Sequence, residues 1–256
     1  MTSSVIYPLQ DRKIHRTVLD NGIVVLAAEN PVADIIAARI FLRTGTLWEQ
    51  PGQGGLSNLV SSVITKGTEH LSSQEIAERV ESVGASLGTD ATTDYFLLSI
   101  KTVSTDFAEM LALAGELLRS PTFPATEVEL ERRLTLQAIR SQKEQPFSIA
   151  MDQLRQAMYQ GHPYALSGLG TEATVANLER GDLQKFHQTY FRPDNMVISL
   201  VGHITPSAAI ALVQKVFGDW QSPAVPVPPL VLPPLTHQPL PSVTAQETQQ
   251  SILMLG

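Results

Sequence analysis

The sequence predicts an α+β fold, an antiparallel or mixed sheet with helices packed on one face. Three observations lead there. Strand-like runs come in neighbouring pairs, one pair around Asn21-Gly22 and another within residues 85–103. Amphipathic helical stretches stand in blocks between the pairs. The order is therefore strands, helices, strands, helices, strand, helix, whereas a doubly wound parallel sheet needs strict alternation.

Each element has its own signal. Residues 15–29, HRTVLDNGIVVLAAE, are two apolar runs around Asn-Gly, the strongest short hairpin signal. Residues 34–44, DIIAARIFLRT, alternate as a third strand and end at Gly45. A helix follows in GGLSNLVSSVITKGT, residues 54–68. Ser72 or Ser73 caps a second helix, with Glu75 in its first turn and Ile76, Val80 and Val83 as its apolar face. ASLGTDATT and DYFLLSIKTV are two more strands, with a polar turn at residues 92–94. Phe107, Leu111, Ala114 and Leu118 keep one face of the next helix. A long polar helix over 125–143 and another from Pro146 to Met158 come next. A glycine-rich crossing, GHPYALSGLGTEATV, leads to a helix over 180–190, a strand over 195–202 and a closing helix that starts near Pro206.

The stretch PAVPVPPLVLPPLTHQPLP has eight prolines in nineteen residues, so it forms neither a helix nor an internal strand. It reads as an extended linker. The expected organisation is a domain over 1–222, a proline-rich linker over 223–243 and, over 244–256, the first strand of a second, similar domain largely absent from this chain.

Composition excludes several functions. A net charge of −7 argues against nucleic-acid binding and against a polybasic membrane surface. With no cysteine, disulfide, thiolate-metal and thiol redox chemistry are closed. The N-terminus lacks the basic start and apolar core of a secretory signal, and no run of about 18 apolar residues is present, so a soluble, cytoplasmic protein is expected.

The helix at 54–68 poses the functional question. Leu56, Leu59, Val60, Val63 and Ile64 form a buried stripe, while Asn58, Ser61 and Ser62, at i, i+3 and i+4, share another face. Nothing there is stronger than an amide and two hydroxyls. None of the six histidines forms His-x-x-x-His, and Glu69-His70 reads as a solvated loop. His162 reads as a turn residue, and His187 and His203 as surface or packing residues. No Gly-x-Ser-x-Gly elbow supports a serine nucleophile, and Gly168 and Gly170 lack phosphate-loop spacing.

The run from Gly55 to Ser62, with Lys66-Gly67-Thr68, resembles the active helix of the insulinase/pitrilysin zinc peptidases, which include mitochondrial processing peptidase. That helix reads roughly G-L-A-H-F-L-E-H-M-x-F-K-G-T. LDNGIVVL, RTGTLWEQPGQGGLSN, SLGTDATTDYFLLSI, LLRSPTFP, GHPYALSGLGT and LQKFHQTYFRPDNMVISLVGHI match in the family's order. The resemblance implies the first half of a two-domain metallopeptidase-like protein. It also implies that the site is degenerate: Asn58 and Ser62 stand at the two zinc histidines and Ser61 at the general-base glutamate. The third ligand, a glutamate eight residues before a proline, falls on Ala138, 76 residues beyond Ser62. Glu131 matches a supporting acidic position. No catalytic or metal residue is then expected in this chain, and zinc is expected in a partner subunit. The implied role is a non-catalytic subunit of a heterodimer that encloses peptide substrate, with the negative charge favouring basic peptides. A structural core-type protein without peptidase function is the alternative, and two copies of the chain could also pair.

Overall fold

The computed structural model describes residues 13–234, 243, 245 and 251–256. The strands are β1 (His15–Val18), β2 (Val24–Glu29), β3 (Ile35–Leu42), β4 (Ser86–Ala91), β5 (Phe96–Val103) and β6 (Met196–Gly202). They form one sheet in the order β1-β2-β6-β3-β5-β4. Among the described residues only the β2–β6 pair is parallel, and the other four pairs are antiparallel. The sheet is mixed because β6 arrives last and inserts between β2 and β3.

Alternation decides which face is covered. On β3, Ile36, Ala38, Ile40 and Leu42 are buried, while Ile35 before them and Arg39 among them are exposed. Their partners across the ladders, Leu98, Ile100, Ile198 and Leu200, are buried on the same face. Against this face pack α1 (Leu56–Val63), α3 (Phe107–Arg119), α7 (Arg180–Tyr190) and α8 (Pro206–Phe217), which contribute Leu59, Phe107, Leu183 and Phe217 to one continuous core. The remaining helices are α2 (Ser73–Ser82), α4 (Ala125–Glu144), α5 (Pro146–Met158) and α6 (Glu172–Asn177).

Local signals act as the sequence implies, with refinements. The Asn-Gly hairpin closes through Leu19 and Ile23, a longer loop than a two-residue turn, because the Asn21 amide leaves the hairpin to bond the Phe217 and Trp220 carbonyls. Ser72 caps α2 in a full capping box with Glu75. Of the expected strand over 244–256, residues 251–256 carry no strand and the rest lies almost wholly outside the described residues.

Candidate functional site

α1 begins without a side-chain cap of its own, on Gly55 in the left-handed conformation (φ 93°). Glu49, from the loop before it, supplies the cap by accepting from the N–H groups of Gly55 (3.1 Å) and Ser57 (2.7 Å). Burial pushes the Glu49 carboxyl up to about 7, with the two backbone donors and the Ser57 hydroxyl pulling the other way. The glycine-rich crossing closes over the same end. A Cβ on Gly170 (φ 74°) would strike the Gly54 carbonyl, and the Thr174 hydroxyl donates to that carbonyl at 2.8 Å.

The sequence-singled residues occupy the next turn. The Ser61 and Ser62 hydroxyls both donate to the Asn58 carbonyl, at 2.8 and 3.1 Å. Each side chain is therefore satisfied by its own helix. Ser61 is buried, and its carbonyl accepts from Thr89 of β4 at 2.7 Å, which ties α1 to the sheet edge. Asn58 lines an open cavity of about 300 Å³, with Ala91 at the end of β4, Gln142 of α4, Asp152 and Arg155 of α5, and Leu169 of the glycine-rich crossing. Arg155 holds Asp152 at 2.6 Å. α4 packs against α1; Ala138 on it is exposed, one turn before Gln142. Glu131 does not join Asn58; it reaches Lys66, beyond the end of α1, at 3.4 Å.

These residues do not fit zinc. The metal takes imidazole nitrogen or carboxylate oxygen, and the positions offer an amide, two hydroxyls already turned inward and a methyl group. Among the described residues no three His, Asp or Glu side chains gather closely enough to hold a metal ion.

The histidines have structural surroundings. His162 accepts from the Tyr164 N–H through Nδ1, within a turn. Partly buried His187 donates from Nε2 to the Leu118 carbonyl at 2.9 Å and packs edge-on against Phe123; loss of solvent around the ring holds its pKa down to about 4. Sequence reasoning missed Glu49, whose signal was an acidic residue just before an uncapped glycine start. It also missed Gln142, Asp152 and Arg155, which no local pattern connects to Asn58.

This is a sheet domain whose α1 presents an amide and two hydroxyls on its polar face, and comparison with known proteins says which class it comes from. The model of the insulinase family, peptidase family M16, matches residues 24–172, and that of the peptidase M16 inactive domain matches residues 177–256. The chain belongs to the insulinase family of peptidases. It is 28% identical over 209 residues to the uncharacterized zinc protease YmxG of Bacillus subtilis, covering 82% of this chain and 51% of that protein. It is 24% identical to the probable mitochondrial-processing peptidase subunit beta of Schizosaccharomyces pombe (83% and 46% covered). It is 26% identical to cytochrome b-c1 complex subunit 1 of Caenorhabditis elegans (79% and 43% covered). A protease of Helicobacter pylori shares the fold at a TM-score of 0.81 and 22% identity, over 87% of this chain and 55% of that one. The chain thus spans about half the length of these relatives. No described helix is long and apolar enough to cross a membrane.

Proposed function

We propose that the chain is the non-catalytic part of a heterodimeric, cytoplasmic insulinase-family zinc peptidase. It encloses and binds peptide substrate, and a zinc-bearing partner of the same family cuts it. The observation that carries this reading is the pair of hydroxyls, Ser61 and Ser62, folded back on the Asn58 carbonyl where a base and a ligand would have to point outward. A water needs both a metal to acidify it and a group to take its proton, and this helix face supplies neither.

Peptide binding has its own support. Among the described residues β4 is an edge strand, bonded to β5 alone, which leaves one row of its backbone groups to pair with an extended peptide. That edge runs beside α1 and ends at Ala91, on the Asn58 cavity. A peptide added to β4 would lie along the emptied site, and the net charge of −7 favours basic sequences.

The test is a peptide-cleavage assay of the full-length protein with its partner. Replacing the partner's general-base glutamate should reduce cleavage to background. Cleavage that persists would assign chemistry to this chain and overturn the reading. The second reading, a structural core-type protein without peptidase function, draws on the similarity to a cytochrome b-c1 subunit; an assembly that cuts no peptide would favour it.

A further inference from the structure

The beginning of the proline-rich stretch is bolted to the domain by a buried arginine. Arg192 lies between α7 and the short turn before β6, and only 4% of it is exposed. A buried guanidinium must place its donors. Nε and Nη2 grip Asp194 fork to fork, at 2.5 and 2.7 Å. The other contacts go across the chain: Nη1 donates to the Val225 carbonyl at 2.6 Å and Nη2 to the Pro223 carbonyl at 2.9 Å. Proline removes backbone donors but leaves acceptors, so an arginine suits such a segment.

Neighbouring contacts hold the same strap. The Asp194 N–H donates to the Ser222 hydroxyl at 3.2 Å. Arg119 of α3 pairs with Asp219 at 2.7 Å and sits over the Trp220 ring, which stacks on Phe217. Asn21 of the first hairpin donates to the Phe217 and Trp220 carbonyls, and Val227 packs on the core. Three separate parts of the domain therefore converge on residues 217–227.

We propose that the Arg192–Asp194 pair is a directional bolt. It fixes residues 222–225 on the domain and so sets the line along which the following proline-rich chain departs. From Pro228 to Pro234 the stiffness of proline-rich backbone carries that direction onward.

The sequence has no cysteine, so two spin labels can be placed cleanly in the full chain, at Glu109→Cys on α3 and Val231→Cys beyond the strap. The wild-type background should give one narrow distance distribution. Arg192→Lys, which keeps the charge but cannot hold Asp194 and two carbonyls together, should broaden it about twofold. Hydrogen exchange of the β3 and β5 amides, read on the same samples, should stay unchanged. If Arg192→Lys loses that core protection, Asp194→Asn takes its place with the same expected broadening. A broad wild-type distribution overturns the proposal whatever the variants do, and so does a folded variant as narrow as wild type.

Discussion

Two partly buried titratable side chains, Glu49 and His187, bias the stability of the domain with pH in opposite directions. Glu49 has its carboxyl raised from 4.5 to about 7, so the folded state holds a proton that the unfolded state has released between those values. Its contribution is full below pH 4.5 and is lost as pH rises through 7, on the order of 3 kcal/mol across the window. His187 is lowered from 6.5 to about 4, so its contribution is present above pH 6.5 and is lost as pH falls towards 4. Between pH 4.5 and 6.5 the two slopes oppose each other. In Glu49→Gln, urea denaturation should show stability falling steadily as pH drops from 6.5 to 4. In His187→Phe it should show stability rising as pH drops from 7 to 4.5. Two parallel curves would contradict this pairing. The His187 ring also packs on Phe123, whose backbone sits in the left-handed region (φ 45°) just before α4. Arg180 steadies that turn by donating to the Thr122 and Phe123 carbonyls.

At the scale of the element, α1 is held by its packing, independently of what its polar face carries. Leu56, Leu59, Val60, Val63 and Ile64 are fully buried, so the helix is required for the core whatever its polar face carries. Its start depends on close backbone approach, and Gly170→Ala should cost about 1–3 kcal/mol by forcing a left-handed residue and a clash with Gly54; thermal melting reads this directly. The fourfold variant Asn58→His, Ser61→Glu, Ser62→His, Ala138→Glu should bind about one zinc per chain, measured by metal analysis after dialysis. The Thr89 bond to the Ser61 carbonyl involves backbone and survives these changes. A variant that folds but holds no zinc would show that α4 does not present position 138 to α1. Much of this element was legible in the sequence, because the apolar stripe and the Asn58–Ser61–Ser62 face are local spacings. The cap from Glu49 and the cavity shared with Asp152 and Arg155 were not. They join side chains that meet only after α4, α5 and the glycine-rich crossing have packed.

For the whole molecule, paired strand signals announced the sheet, yet its order could not be read from them. β6, more than ninety residues after β5, inserts between β2 and β3, and only the completed core dictates that. The boundary at residue 223 was likewise read from proline content, which does not reveal the grip of Arg192 on Pro223 and Val225. The proposed function places the peptide-cleaving chemistry on another chain of the same family. Native purification of the full-length protein from its own cells, with mass spectrometry of what accompanies it, tests that claim most directly. A stoichiometric companion carrying His-x-x-Glu-His is expected. Recovery of the protein alone, or with membrane respiratory subunits, would contradict it.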